Sequence, residues 1–271
     1  MSRRRNRETP EMAISEYELS SMTNELSMLH NETFPSVHKE LDEFSANLAH
    51  ISRKPAARRS FLMGMGGVAI LGTVAACSSS SDKKTTAGGG GGTTAGSSMT
   101  AGGTYTGDLK VVALAAALEN LAVTAYQGAL TKAGKGDLGA VPPAVATFVM
   151  TAMKQHQDHS AAWNSVLKKA GKPTISGAPL TITADQVAML NAAKSVPDVA
   201  KLALALENAA AETYTFAAIN VTDAGGIMTA ATIQPVEAMH AAILSFVLGE
   251  YPVPVSFIGT SNAVPPTALT A

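Results

Sequence analysis

ALENLAVTAY, residues 117–126, and ALENAAAETY, residues 205–214, are two versions of one segment set 88 positions apart. Both place a glutamate third in an Ala- and Leu-rich run, and both end on a tyrosine. The apolar residues recur at helical spacing, so each segment reads as a packed helix. A carboxylate inside such a helix is costly unless it is paired or holds a cation. The fold therefore turns on what Glu119 and Glu207 face.

Working outward, the apolar periodicity predicts four long helices. The first runs from about Asp108 to Lys132 and stops at Gly134 and Gly136. The second follows Pro142-Pro143 and runs to about Ala170, before Gly171 and Pro173. The third begins near Pro197-Asp198, with proline suited to a first helical turn, and continues to about Asn220. The fourth spans about Ile227 to Leu248, with Gly249 as its stop. A short helix is expected in 184–193. Links of roughly eight residues join the first helix to the second and the third to the fourth, which implies antiparallel neighbours. The long middle link can carry the chain from one end of the bundle to the other. No sustained period-two alternation predicts a strand. The expected architecture is all-α: a four-helix bundle of two antiparallel hairpins joined by a long crossover.

The ionisable residues are few after residue 77 and fall in a pattern. There are five glutamates (Glu119, Glu207, Glu212, Glu237, Glu250) and three histidines (His156, His159, His240). Residues three apart share a helix face, so His156 with His159, and Glu237 with His240, point into one space. Glu119 and the His156/His159 pair lie at similar distances from the first link. Glu207 and the Glu237/His240 pair do the same about the second. At about 1.5 Å per residue, each hairpin brings its ligands to one level. The candidate metal ligands are Glu119, His156, His159, Glu207, Glu237 and His240. Tyr126 and Tyr214, seven residues past their glutamates, are candidate hydrogen-bond donors behind the ligands or plain core filling. Glu212, some 140° around the helix from Glu207, reads as a solvated or inter-subunit carboxylate. Trp163, Met150, Met153, Met228 and Met239 read as core.

One Glu from each of two helices, with Glu-x-x-His from each of the other two, is the di-iron carboxylate pattern of ferritin-like bundles. Residues 107–250 resemble that superfamily, and in particular its exported bacterial members. Glu119 with Tyr126 and Glu207 with Tyr214 resemble the family's Glu-x6-Tyr signature. Glu119 and Glu207 match the single-glutamate positions, Glu237 and His240 match one Glu-x-x-His, and His159 matches the histidine of the other. His156 departs from the pattern, because a bridging glutamate is expected there. The resemblance implies iron or manganese, as one or two ions. It implies redox or metal-handling chemistry, such as that of a di-metal oxidase or a peroxide-handling oxidoreductase. The loss of one bridge leaves open a mononuclear site, a pair bridged by water or oxide, or Asp158 swinging in. A metal-free bundle of structural or stress-protective role, and a partner-binding module, are the alternatives.

The rest of the chain speaks to destination. All seven arginines lie at or before Arg59; from Cys77 on there are 11 lysines and 12 acids. The net charge of −1 gives no argument for a nucleic-acid partner. The one cysteine, Cys77, excludes an intramolecular disulfide. In residues 57–77, Arg58-Arg59 precede an apolar run from Phe61 to Ala76, too short to span a bilayer but of signal-peptide length. Arg58-Arg59-Ser60-Phe61-Leu62 resembles a twin-arginine export signal, and Val74-Ala75-Ala76-Cys77 a lipobox whose cysteine is lipidated. These imply a partner in the twin-arginine machinery, and a membrane anchor at Cys77 on the outer side of the cytoplasmic membrane or in the periplasm. Residues 78–106 read as a Ser/Gly/Thr-rich tether and 251–271 as a Pro-rich tail. Residues 1–56 show helical spacing at Leu19, Met22, Leu26 and Leu29, and again at Val37, Leu41, Phe44 and Leu48. They read as two short amphipathic helices, as an extension removed with the signal, or as a start placed too early.

Overall fold

The computed structural model describes residues 15–53 and 104–271. The signal, the lipidation candidate Cys77 and most of the tether lie outside the described residues. Within them are six α-helices, a short 3-10 turn and no named strand. They are α1 (Glu16–Arg53), α2 (Asp108–Gly134), α3 (Pro143–Lys169), α4 (Thr183–Ala192), α5 (Val196–Asn220) and α6 (Ala224–Leu248). Helices α2 and α3 form one hairpin and α5 and α6 the other, with α4 on the crossover. This is the expected four-helix bundle.

Local chemistry sets the ends. Pro143 opens α3 behind Pro142. The Ser195 hydroxyl caps α5 by accepting from the Asp198 amide at 3.3 Å. Asp223 caps α6, its carboxylate accepting from the Gly225 and Gly226 amides at 2.8 and 3.3 Å. That cap starts α6 at Ala224, so residues 221–223 alone link α5 to α6, a shorter turn than the spacing suggested. Gly249 closes α6 at φ 76°, where glycine avoids the cost a side chain would bring. Asp108 then ties the hairpins together: one oxygen accepts from the Thr222 amide (3.1 Å), the Thr222 hydroxyl (3.0 Å) and the Asp223 amide (3.1 Å).

Two corrections to the sequence reading concern packing. Residues 16–53 form one continuous helix rather than two short ones, with Pro35 on its exposed side. Its buried stripe runs Leu19, Thr23, Leu26, His30, Val37, Leu41 and Phe44. His30 therefore takes the inward place, and Leu29 is exposed. Met150 and Met228 are not core but about half exposed, while Met153 and Met239 are half-buried.

Two apolar clusters fill the interior. One contains Leu114, Leu121, Trp163, Val166, Tyr214 and Ile233. The other contains Tyr126, Phe148, Ala152, Ala203, Ile243 and Leu244. Along α3, α5 and α6 the sequence passes from one cluster to the other across the ionisable residues. The polar layer is thus walled by apolar packing above and below. The last residues are not a free tail. Glu212 accepts from the Asn262 amide (2.6 Å) and side chain (2.8 Å), and Leu180 pairs with Leu269.

Candidate metal centre

All six predicted ligands meet in the polar layer, and none is more than 2% exposed. They form two overlapping sets: Glu119, His156, His159 and Glu237; and His156, Glu207, Glu237 and His240. Within each set the ligand atoms lie within 4.8 Å of one another. His156 and Glu237 belong to both, so they stand between two potential cation positions. Asp158 does not enter either set. It pairs with Lys154 and approaches His30 Nε2 at 3.4 Å.

The distances show how the protein balances these charges. His156 Nδ1 lies 2.7 Å from Glu119 Oε2, and its Nε2 3.1 Å from Glu207 Oε1. His159 Nδ1 lies 3.1 Å from Glu237 Oε1. His240 Nδ1 is 3.4 Å from Glu207 Oε2 and 3.6 Å from Glu237 Oε2. Burial pushes each imidazole down, but the carboxylates overcome it. Glu237 and Glu207 raise His156 well above the ordinary value. Glu119 and Glu237 raise His159 to about 9, and Glu207 raises His240. Burial would raise Glu119, but His159 and His156 hold it at about 2; His156 and His240 likewise keep Glu207 low. Protons on the imidazoles thus stand in for cationic charge among the three carboxylates.

Several atoms in this layer have no hydrogen-bond partner: both oxygens of Glu237, Glu207 Oε2, and Nδ1 of His159 and His240. Orphaned buried polar atoms are rare and call for an explanation. Here they are carboxylate oxygens and imidazole nitrogens facing one another at 3.1, 3.4 and 3.6 Å, and the nitrogens would offer lone pairs to a cation on losing their protons. Three carboxylates and three imidazoles are ligands that iron and manganese accept. The donor set fits a metal ion.

The tyrosines stand behind the carboxylates, with an exchange of partners. Tyr126 follows Glu119 in the chain but donates to Glu207, and Tyr214 follows Glu207 but donates to Glu119. Each repeat thus steadies the other's glutamate. Trp163 Nε1 donates to the Tyr214 hydroxyl at 2.9 Å, which extends this support outward. Burial, then the neighbouring carboxylate charge, raises both phenols well above their usual value, so they stay protonated as donors.

Two residues of the site escaped sequence reasoning. Gln155, 2% exposed, places its Oε1 2.7 Å from His240 Nε2. His30 of α1 lies 5.4 Å from His159, ring to ring. The available signals were helical spacing. Gln155 is four residues before His159, and His30 falls in the stripe of Leu26 and Val37. A narrow cleft lined by Ala122, Tyr126, Leu190, Ala203, Leu206 and Glu207 also approaches the centre, with a volume of ≈ 10 Å³, room for about one water.

Fold and site define an all-helical bundle with a buried carboxylate and imidazole centre compatible with a metal ion. The model of the ferritin-like domain matches residues 107–250, and the chain belongs to that family. No curated protein and no solved structure matches the chain.

Proposed function

We propose that this protein is an exported, lipid-anchored ferritin-like protein that binds iron or manganese and serves a redox or metal-handling role. The observation that carries the metal reading is the set of unpartnered carboxylate oxygens and imidazole nitrogens on Glu237, Glu207, His159 and His240, converging in a layer sealed by two apolar clusters. Glu119, His159 and Glu237, with His156, would hold one ion; Glu207, His240 and Glu237, with His156, a second. A bound iron or manganese ion would supply one-electron chemistry toward dioxygen or peroxide. His156 stands where the family pattern has a bridging carboxylate. With it, three carboxylates offset only three of the four charges of two divalent ions, which favours one tightly held ion, or two with an added anionic bridge.

The residues have separable tasks. Tyr126 and Tyr214 hold one oxygen each of Glu207 and Glu119, and the other faces the centre: Glu207 Oε2 without a hydrogen-bond partner, Glu119 Oε2 against His156 Nδ1. The apolar clusters exclude bulk water, which strengthens every charge interaction inside. The imidazoles give up protons when a cation enters. Export rests on Arg58 and Arg59, and the anchor on Cys77. The twin-arginine route carries folded proteins, which suits a centre filled before transit.

The test is elemental analysis of the natively exported protein, and of protein made in medium supplied with iron and manganese. Near-stoichiometric iron or manganese is expected. Absence of any transition metal in both preparations would favour a metal-free bundle held by its Glu–His pairs, and would end the metal reading. Acyl-chain labelling of wild type against Cys77→Ala tests the anchor.

A further inference from the structure

Helix α1 repeats the layering of the bundle. Leu19 and Leu26 join the cluster of Tyr126, Phe148 and Ile243, while Val37, Leu41 and Phe44 join that of Leu114, Trp163 and Ile233. Between these two sets, at the level of the ligands, α1 carries His30 and Phe34. Their rings lie 5.4 and 5.8 Å from that of His159. The seat for α1 is built into the bundle. A side chain at Gly225 would collide with the Glu40 carbonyl, and one at Gly226 would come within 3.2 Å of the Phe44 ring. Asn47 donates to Asp223 at 2.9 Å, and Lys169 pairs with Asp42.

A hydrogen-bonded line then runs from α1 into the centre. The Leu26 carbonyl can only accept, so it takes the Gln155 amide nitrogen, at 3.3 Å. That orientation leaves Gln155 Oε1 to accept from His240 Nε2, at 2.7 Å. With Nε2 as the donor to Gln155, Nδ1 of His240 is the nitrogen left to face Glu207 and Glu237, and the one that would offer its lone pair to a cation once its proton is displaced. Second partners of this kind fix the tautomer and direction of a ligating histidine.

We propose that α1 is a fifth wall of the metal centre, and that it retains the metal by holding His240 in its ligating orientation through the positioning residue Gln155. The proposal rests on the metal reading above. It has a consequence for processing. Arg58, Arg59 and Cys77 lie between α1 and α2 in the chain, so a cut at Cys77 would remove α1 from the mature protein. The uncut chain would hold its metal tightly, and the processed protein would carry a more open centre.

The experiment loads the full chain with cobalt(II) ions and follows their visible spectrum and their release to EDTA. The variants are Phe44→Asp and Gly225→Ala, which unseat α1 from its own side and from the bundle side, Gln155→Leu, and the double variant Phe44→Asp/Gln155→Leu. Hydrogen exchange of α1 amides reads its docking, and Trp163 fluorescence reads the fold of the bundle. Each single variant is expected to release cobalt about tenfold faster and to alter its spectrum. The double variant is expected to be no faster than the singles, since both break one line. Wild-type release from chains with α1 unseated would overturn the proposal, as would effects that multiply to about a hundredfold, or free exchange of α1 amides in the wild type. Failure of the wild type to take up cobalt would instead bring down the metal reading, and the proposal with it.

Discussion

Glu237→Gln is the sharpest test of the centre, because Glu237 alone among the carboxylates belongs to both ligand sets. It is fully buried, and neither of its oxygens has a hydrogen-bond partner. Glutamine keeps the shape and removes the charge, so packing is preserved while the donor shared by both positions is lost. A cation that binds only the folded chain stabilises it by about 2.7 kcal/mol when present at roughly a hundred times its Kd. For a domain of about 150 residues, each kcal/mol moves Tm by about 2–4 °C. Wild-type protein should therefore melt about 5–10 °C higher with manganese(II) or anaerobic iron(II) than with EDTA. The assay is calorimetric melting of the two proteins, each with metal and with EDTA. Glu237→Gln should lose most of that increment. An equal metal increment in the variant would refute the assignment of Glu237 as a shared ligand.

Metal affinity should rise with pH. His156, His159 and His240 are all raised and must lose protons to ligate, so affinity climbs from about pH 6.5 toward the His159 value of about 9, by up to about tenfold per unit for each proton displaced. Titration calorimetry in buffers of different ionisation heat should register the released protons; a pH-independent affinity would contradict the site. Without metal the sign reverses. The raised His159 stabilises the fold fully below 6.5, and that contribution is lost as pH rises through about 9. The lowered Glu119 stabilises above 4.5, and that contribution is lost as pH falls toward 2. His30, which burial and His159 depress to about 4, adds a loss as pH falls below 6.5, so EDTA-treated protein should melt highest in mildly acidic buffer. Tyr214→Phe strips a donor from Glu119 and leaves Trp163 Nε1 without an acceptor. It should cost about 3 kcal/mol in a urea titration and shift the emission of the single tryptophan. Asp108→Ala releases three hydrogen bonds between α2 and the α5–α6 turn, and should cost about 2–4 kcal/mol by the same measurement.

What the chain states locally was legible in its letters. Helix type, approximate ends and the layer of candidate ligands follow from spacing: 3.6 residues per turn aligns His156 with His159 and Glu237 with His240, and a constant rise sets them level with Glu119 and Glu207. Repetition of ALEN with a distal tyrosine marked the two hairpins as relatives. Ends set by a single cap were less legible. Asp223 starts α6 earlier than the apolar pattern does, because a side-chain oxygen satisfies amides that periodicity ignores. Exposure of Met150 and Met228 was equally hidden, since an apolar residue carries no mark of which face a neighbour will cover. Only the tertiary structure decided the partners across helices. Tyr126 reaches Glu207 and Tyr214 reaches Glu119 because the two hairpins face each other, so each hydroxyl meets the other repeat's carboxylate. Helix α1 joins the centre for the same reason. Its stripe of Leu26, His30 and Val37 is amphipathic in any setting, but the groove beside Gly225 and Gly226 that receives it exists only once α3 and α6 have packed. Spacing along one helix is a property of the backbone; contact between helices is a property of the packed whole.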